Sequence, residues 1–499
     1  MGSGWKVVRG SAPPEAMQLV RSGPGAAGPA VRVLRRGNTR ATYLLPGVGV
    51  LKVFHRVGAG EMFGSLFATS ALTREFDLTR LAVERGVPAP RPVFSAERRS
   101  FGLLRGAAIL IETVPDARTL EELIAARFPP PGDERSVEGS IRPPLFNLGR
   151  VLAALHKAGG VHGDDSPDNV LVRGTEQGDV VLIDWSFALF AGAKVGDGRG
   201  DRRRLERRAA KRYHTRCAGI RTALDGFERE GIRSAAFQRL CHNDLERVTN
   251  ALMQQGAPLR EMLWCLEGYH RELGLGRAAT RRFVETVRAE FPAALRRSVR
   301  RTLRNADRGS RRTAAVREAQ ATLCHRRDVA GEDVRAAFQS AGSGERFELR
   351  EHAEALRAWR NACALARFRL PARRHAACRF ASDGRGGLLL DRPARPFRPV
   401  AEAEPRRLAD CVRLLHAFGF RFTSCGGDTI SEQDPALGPF VFRQGSGYVL
   451  EDAAAVTFAP ERAMEGSTEV VGSWLRDRWG AAVAGQFITE CRRPLYFRF

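Results

Sequence analysis

One segment, His162–Asp184, constrains the fold and the chemistry of this chain more than any other. It begins His162-Gly-Asp-Asp-Ser-Pro-Asp-Asn169 and ends Val180-Val-Leu-Ile-Asp184. A carboxylate, an amide five residues later and a second carboxylate closing an apolar run suit phosphoryl transfer from ATP, where positioning and charge stabilisation do most of the catalytic work. The alternative is a polar loop whose Asp and Asn residues only form turns.

The two carboxylates and the amide have separate predicted roles. We predict that Asp164 is the catalytic residue, which orients the acceptor hydroxyl and takes its proton. Asn169 and Asp184 are the predicted metal ligands, because Mg²⁺ prefers sparse oxygen ligation completed by water and phosphates. The predicted cofactors are therefore ATP and Mg²⁺. His162 is expected to brace the loop without acting as an acid or base.

Two upstream residues are predicted to complete the catalytic set and to hold the nucleotide phosphates. Lys52 is the single charge in the apolar strand Gly49–Phe54, and Glu75 lies in a helix downstream of it. We predict that the two side chains pair and that Lys52 contacts the phosphates. For Lys52 alone, the alternative is a solvent-facing lysine at a strand edge. Glu84, at the end of the same helix, is a poorer partner.

Two loops are predicted to bind the rest of the nucleotide. The turn between the first two predicted strands contains Gly37, Asn38 and Thr39, whose amides and side chains can cap phosphate oxygens, although its single glycine makes it a weak glycine-rich loop. Ala107–Val114 is predicted to be an apolar strand, and its end, Leu110–Val114 with Glu112 and Val114, is predicted to be the lobe connection whose backbone hydrogen-bonds the adenine.

The order of predicted elements indicates the fold class. Short strands, one helix and further strands precede the almost wholly helical sequence Arg202–Arg301. This order predicts an α+β fold with a small β-rich N-terminal lobe and a larger helical C-terminal lobe. The predicted boundaries are a flexible tail at 1–28, a catalytic domain at 29–300, a basic linker at 301–318 and a further domain at 319–499. The positively charged segment Arg296–Arg312 is interpreted as a linker or a basic surface helix.

These motifs resemble the catalytic and metal-binding loops of kinase-like phosphotransferases. Gly163 after the histidine, and Ile183-Asp184-Trp185 where protein kinases have Asp-Phe-Gly, are more similar to aminoglycoside, choline and lipopolysaccharide sugar kinases. The run Gly86-Val-Pro-Ala-Pro-Arg-Pro-Val resembles the lipopolysaccharide-kinase branch. The resemblance covers roughly residues 30–290. It implies a bilobal protein-kinase-like fold and transfer of the γ-phosphate to a hydroxyl of Kdo or heptose. Asp165-Ser-Pro departs from the family pattern, which leaves the acceptor open.

Charge and targeting signals bear on the partners. Lys and Arg outnumber Asp and Glu by 80 to 56, a net charge of +24. This excess indicates either an anionic partner or an arginine-rich composition on solvated helix faces. The resemblance implies a nucleotide and an anionic sugar or glycolipid acceptor at the inner-membrane surface. Without a signal segment or a long apolar run, we expect a cytoplasmic protein, peripheral at the inner face of the inner membrane, with no transmembrane segment. Nucleic acid is not an expected partner, because no aromatic-plus-basic motif supports it.

The C-terminal part is predicted to be a degenerate second kinase-like domain. Glu354–Leu365 resembles the glutamate-bearing helix, and aligning Trp359 with Phe76 places Ala358 where the first copy has Glu75. Leu415-His416-Ala-Phe-Gly419 parallels Leu155-His156-Lys-Ala-Gly159.

In that register the second copy lacks part of the catalytic set. Ser424 replaces the catalytic aspartate and Thr429 the metal-binding asparagine, whereas Asp452 is retained. Such a domain should transfer phosphate poorly. We therefore hypothesise a pseudokinase that binds substrate, nucleotide or the first domain. The alternative is a helical extension with accidental similarity.

Two other functions compete with a sugar kinase. One is an atypical, RIO-like protein kinase, although the chain has no Ala-Pro-Glu motif after Asp184. The other is a nucleotide-binding scaffold without activity, which the complete catalytic set disfavours. The segment His242-Asn-Asp244, with Asn250, imitates the catalytic loop but has no following apolar strand, so it is predicted to lie on a helix surface.

Overall fold

The computed structural model forms two compact units, each described by itself. Unit one comprises Met1–Ile124, Gly139–Leu252 and Leu259–Val284, and unit two comprises Ala125–Glu138, Met253–Pro258 and Glu285–Phe499. The structure describes the chain outside residues 1–3, 23–30, 37–38, 129–139, 165, 175–177, 194, 196–198, 214, 256, 258, 309–312, 318–320, 327–330, 340–346, 368–374, 382–384, 391–404, 418–419, 423–439, 444–446, 451–455, 459–463, 480 and 493–499.

Unit one begins with strands and continues as helices. Its strands are β1 (Trp5–Gly10), β2 (Arg32–Arg36), β3 (Arg40–Leu45), β4 (Gly49–Phe54), β5 (Pro92–Ser100), β6 (Leu103–Ile111), β7 (Ala117–Thr119), β8 (Gly160–Val161), β9 (Val170–Arg173), β10 (Asp179–Leu182) and β11 (Leu189–Phe190). Its helices are α1 (Pro14–Ser22), α2 (Ala59–Gly64), α3 (Ala71–Glu84), α4 (Leu120–Arg127), α5 (Arg142–Lys157), α6 (Arg199–Arg212), α7 (Cys217–Glu230), α8 (Ala235–Gln254), α9 (Leu259–Glu272) and α10 (Arg277–Asn305); α4, α8 and α10 have residues in both units.

An antiparallel sheet forms the N-terminal part, with strand order β1-β5-β6-β4-β3-β2 among the described residues. Because side chains alternate along a strand, β4 directs Leu51 and Val53 to one face and Lys52 and Phe54 to the other. Helix α1 packs on the first face, and α3 packs on the second through Leu72 and Phe76. Lys52 is therefore held on the face that α3 covers.

The predicted tail at residues 1–28 is wrong for the described residues of this segment. Strand β1 pairs with β5 at the edge of the sheet, and α1 buries Ala16, Met17, Leu19 and Val20. These four residues follow helical spacing, so one apolar stripe faces the sheet. The Gly, Ala and Pro content on either side obscured this short amphipathic helix.

The C-terminal part of unit one is helical, and its closest packing is between α5 and α9. A Cβ atom on Gly149 would lie 1.9 Å from the Cys265 carbonyl oxygen, and one on Gly268 would lie 2.0 Å from the Phe146 carbonyl oxygen. Only glycine allows the two backbones to approach so closely. The predicted α+β class, with a β-rich part followed by a helical part, is confirmed for unit one.

Unit two also combines a sheet with helices. Its elements are β12 (Thr313–Arg317), β13 (Ala321–Arg326), α11 (Gly331–Gln339), β14 (Phe347–Glu351), α12 (His352–Arg367), β15 (His375–Ala381), β16 (Arg385–Leu390), α13 (Pro405–Ala417), β17 (Phe420–Phe422), β18 (Phe440–Arg443), β19 (Gly447–Leu450), β20 (Val456–Phe458), α14 (Met464–Trp479) and α15 (Ala481–Arg492). The described ends of the predicted linker at 301–318 belong to regular elements. Helix α10 extends to Asn305, as the alternative of a basic helix predicts, and Thr313–Arg317 is a strand of the sheet.

The two units share an order of elements and of strand pairing. In unit one, β4 precedes α3 and pairs with β6, the second strand after that helix, and β6 also pairs with β5. In unit two, β14 precedes α12 and pairs with β16, the second strand after that helix, and β16 also pairs with β15. After α5, β8 pairs with β11 and β9 with β10; after α13, β17 pairs with β20 and β18 with β19. Ser424, Thr429 and Asp452 lie outside the described residues, so the loss of catalytic groups stays a prediction.

Candidate active site

The structure brings together the lysine and two carboxylates that the sequence analysis singled out. Lys52 Nζ donates to Glu75 Oε1 at 2.6 Å and lies 3.7 Å from Asp184 Oδ1. The Glu75 side chain is 2% exposed, whereas Asp184 is 30% exposed and Lys52 22%. Lys52 is therefore anchored on a buried partner while its ammonium reaches an accessible carboxylate.

Burial and charge oppose each other at this pair. Burial alone would lower the pKa of the Lys52 ammonium, but the Glu75 and Asp184 carboxylates outweigh it, and the pKa lies above its ordinary value. Burial, reinforced by the nearby Asp184 carboxylate, raises the pKa of Glu75 above its ordinary value despite Lys52. The lysine is therefore kept charged at neutral pH.

The loop that carries Asp164 and Asn169 is closed by its own hydrogen bonds. Asn169 Nδ2 donates to the Asp164 carbonyl oxygen at 2.9 Å, and the Ile183 N–H donates to the Asn169 carbonyl oxygen at 3.0 Å. A His162 ring nitrogen lies 3.1 Å from the Ile183 carbonyl oxygen, which agrees with the predicted bracing role. The backbone at Asp184 is left-handed, with φ at 63°, an uncommon conformation for a non-glycine residue.

These residues fit a magnesium ion. The Asn169 amide nitrogen is engaged with the loop, which leaves the side-chain oxygen as its ligand atom. Together with the accessible Asp184 carboxylate this makes a hard oxygen donor set, as Mg²⁺ prefers.

Asp244, which the sequence analysis placed on a helix surface, accepts hydrogen bonds from the backbone of this loop. That prediction is wrong, because Asp244 in α8 is fully buried. Its carboxylate accepts from the His162 N–H at 2.7 Å, from the Gly163 N–H at 3.3 Å and from the Tyr213 hydroxyl at 2.5 Å. Its neighbours Leu240 and Val248, four residues before and after it, are also buried, so Asp244 lies in an apolar helix stripe. A single acidic residue within an apolar helix stripe indicates a buried carboxylate, and this pattern could have identified Asp244 from the sequence.

Arg212, at the end of α6, binds the candidate catalytic carboxylate directly and was also missed. Its Nη2 pairs with Asp164 Oδ1, and its Nε donates to the Gly163 carbonyl oxygen at 2.6 Å. Its guanidinium lies 5.4 Å from the Phe187 ring centroid. Arg247 in turn donates to the Arg212 carbonyl oxygen at 2.8 Å and to the Gly163 carbonyl oxygen at 2.6 Å. The arginine that holds Asp164 is therefore itself held.

The structure describes only part of the loops that were predicted to bind the nucleotide. Thr39 is exposed, and its carbonyl oxygen accepts from the His55 N–H at 2.9 Å; Gly37 and Asn38 lie outside the described residues. The Glu112 N–H donates to the Arg91 carbonyl oxygen at 2.9 Å. Val114 follows in the same connection and is half-buried.

Comparison with known proteins gives a family match over a third of the chain. Residues 52–215 match the model of the lipopolysaccharide kinase (Kdo/WaaP) family. The 3-deoxy-D-manno-octulosonic acid kinase of Stenotrophomonas maltophilia (strain K279a) is 30% identical over 144 residues, which are 28% of this chain and 53% of that protein. The EKC/KEOPS complex subunit BUD32 of Coccidioides immitis (strain RS) is 38% identical over 73 residues, 11% of this chain and 25% of that protein.

Among solved structures, WaaP in complex with acyl carrier protein is similar to this chain. It is 19% identical, the match covers 51% of this chain and 88% of that chain, and the TM-score is 0.28. The matched segments span between a quarter and about half of the length of the curated relatives. No helix in the described part of the chain is long and apolar enough to cross a membrane.

Proposed function

We propose that unit one transfers the γ-phosphate of ATP to a hydroxyl group of a sugar, and that the acceptor is a Kdo or heptose of the lipopolysaccharide core. The observation that carries the proposal is the arrangement of Lys52 on Glu75, 3.7 Å from Asp184, next to the loop that bears Asp164 and Asn169. A cationic contact, a proton acceptor and oxygen ligands are the groups that phosphoryl transfer from ATP requires.

The chain's own residues then have defined roles. The Glu112 carbonyl and the Val114 N–H bind the adenine, and Lys52, oriented by Glu75, contacts the phosphates. The hydroxyl oxygen of the acceptor bonds to the γ-phosphorus, and Asp164 accepts the proton that this hydroxyl loses. The bond between that phosphorus and the β–γ bridging oxygen breaks, and ADP leaves. Asn169 and Asp184 would hold Mg²⁺, and the bound ion would supply positive charge against the phosphate oxygens.

Arg212 is proposed as the positioning residue for Asp164. It binds Oδ1 of the carboxylate, while Oδ2 has no hydrogen bond within the described part of the chain. Fixing one oxygen directs the other to the acceptor hydroxyl, and a fixed geometry is where most of the rate enhancement in this chemistry originates.

The acceptor class rests on different support. The family match covers residues 52–215, which include Lys52, Asp164, Asp184 and Arg212. One curated relative is by its name a 3-deoxy-D-manno-octulosonic acid kinase. The net charge of +24 suits an anionic glycolipid and a peripheral position at the inner face of the inner membrane, in the cytoplasm.

For unit two we propose a degenerate kinase-like domain. The shared order of elements supports it, as does Ala358, which is fully buried in the helix α12 where the alignment places the counterpart of Glu75. A methyl group cannot pair with a lysine, so a lysine–glutamate pair cannot form at this position.

The proposal is tested with a phosphate-transfer assay on three acceptors, using the full-length protein and radiolabelled ATP with Mg²⁺. The acceptors are lipid A–core fractions containing Kdo and heptose, the same fractions without those sugars, and generic protein substrates. We expect label on the first alone, and its loss in Asp164→Ala. Label on protein would favour the RIO-like alternative, and nucleotide binding without transfer would favour the scaffold.

A further inference from the structure

A cluster of arginines lies between α3 and one face of α6, apart from the residues that act on the nucleotide. Arg74 of α3 is 1% exposed, and its Nη1 pairs with Asp201 Oδ1 at 3.0 Å. Arg204 and Arg208 follow Asp201 by three and seven residues, so helical spacing places all three on the same face of α6. Both arginines are half-buried.

Arg74 is not satisfied by the partners it has. Its Nη1 bonds to Asp201 and to the Thr69 carbonyl oxygen, but its Nε and Nη2 are buried and have no partner among the described residues. A buried guanidinium with idle donors is costly, because each donor has lost its water without gaining an acceptor. The idle donors therefore call for an acceptor.

The neighbouring carboxylates are already engaged. Asp201 accepts from the Thr69 N–H at 3.1 and 3.2 Å as well as from Arg74. Glu61, the other acid that acts on this cluster, accepts from the Ala71 N–H at 3.1 Å. Three guanidinium groups thus face two carboxylates that also serve backbone donors.

The arginines also repel one another. Burial lowers the pKa of both Arg204 and Arg208, and the charge of Arg74 lowers it further in each case. Like charges held together in a partly desolvated space are stabilised by an anion between them, and guanidinium groups match the geometry of a phosphate.

We propose that Arg74, Arg204 and Arg208 form a binding site for a phosphate group. The phosphate oxygens accept from the idle Nε and Nη2 of Arg74 and from the two α6 guanidinium groups. The N-terminus of α3, capped by Ser70, adds its positive end to the same region. The inference does not depend on the proposed function, because none of these residues contacts the nucleotide or the acceptor hydroxyl in that scheme.

The test is thermal unfolding of the full chain, without nucleotide, in sodium phosphate against sodium chloride at equal ionic strength. We expect a saturable rise in the melting temperature with inorganic phosphate. Arg204→Gln combined with Arg208→Gln should weaken the apparent phosphate affinity at least tenfold. Arg203→Gln combined with Arg207→Gln, on the exposed side of the same helix, is the matched control and should bind phosphate as the unmodified chain does.

Further arms separate the possible sources of the phosphate group. A sugar 1-phosphate that binds more tightly than inorganic phosphate would indicate a phosphorylated glycan, whereas equal affinities would indicate free phosphate. Because Arg74→Gln disturbs a buried pair, the α6 variants carry the test. The proposal fails if phosphate gives no saturable rise, if the Arg204/Arg208 variant retains it, or if the control loses as much affinity.

Discussion

The side chain of Asp164, the candidate catalytic carboxylate, is held in place by an arginine. Arg212 contacts one of its oxygens and the adjacent Gly163 carbonyl, and Arg247 fixes the Arg212 backbone. Gly163 has φ at 74°, and a Cβ atom there would lie 2.9 Å from the Phe187 carbonyl oxygen, so glycine is required where the loop turns. The geometry of this carboxylate thus depends on several residues outside the motif.

Replacing Arg212 tests this dependence. We expect Arg212→Met to lower kcat about 10- to 100-fold, because a small misplacement of a reacting group has effects of that order, with little change in KM for ATP. Arg212→Lys keeps a charge for Asp164 but cannot serve Gly163 in the same way, so its kcat should be intermediate. Arg203→Met, an exposed position of the same helix, is the control. An unchanged kcat in Arg212→Met would refute the positioning role.

Two buried histidines at matching positions of the two units are predicted to respond to pH in opposite directions. Burial, and then Arg421, lower the pKa of His416 to about 3. Burial also favours a lower pKa for His156, but its interactions with Cys241, Tyr269 and Asp244 outweigh burial and hold the pKa well above the ordinary value. Its stabilising effect is therefore present below the unfolded pKa of about 6.5 and is lost as the pH rises through the folded value.

For His416 the sign is reversed. Below about pH 6.5 His416 is protonated in the unfolded chain but stays neutral in the folded chain. The free energy of unfolding therefore falls by about 1.4 kcal/mol for each unit of decreasing pH. Urea unfolding of the full chain at pH 5.5 and 7 should show this loss, and His416→Gln should remove it. His352→Gln controls for loss of a histidine in unit two. A loss that persists in His416→Gln would contradict the assignment.

At the scale of elements, the N-terminal segment is part of the core of unit one. Strand β1 completes the sheet edge, and α1 covers the face opposite α3. Arg9 in β1 also pairs with Asp77 in α3 at 3.1 Å. The segment therefore contacts both the sheet and the helix that carries Glu75.

Shortening one buried side chain of α1 should reveal this contribution. Leu19 is 5% exposed, so Leu19→Ala should lower the free energy of unfolding by about 2–5 kcal/mol, through lost burial and the cavity left behind. Gln18→Ala, at the exposed neighbouring position, should change it by less than about 0.5 kcal/mol. Chemical denaturation of both variants measures the difference. Equal stabilities would mean that α1 is not packed as described.

For the whole molecule, the number of nucleotides per chain separates the two units. Because Ala358 leaves no carboxylate at the position aligned with Glu75, we expect one ATP per chain in isothermal titration calorimetry with Mg²⁺. Lys52→Met should abolish this binding, since it removes the proposed phosphate contact of unit one. Two sites in the unmodified chain, or binding that survives in Lys52→Met, would show that unit two also binds nucleotide.

The sequence by itself determined the α+β order of unit one, apart from β1 and α1, and the residues that meet at Lys52. Those residues lie in local motifs: a strand with one charge, a helix with one acid, and a loop followed by an apolar strand. It did not determine what supports them. Asp244 is 82 residues from His162, Arg212 is 48 from Asp164, and Asp201 is 127 from Arg74.

Only the tertiary structure decided those pairs, and the reason is physical. Whether a charged side chain lies in water or in the core depends on which surface its helix packs against, and helical periodicity alone does not name that partner. An acid in an apolar helix stripe, such as Asp244, signals burial but not what it binds. The supporting carboxylates and arginines became visible when α6 and α8 were placed against the catalytic loop and α3.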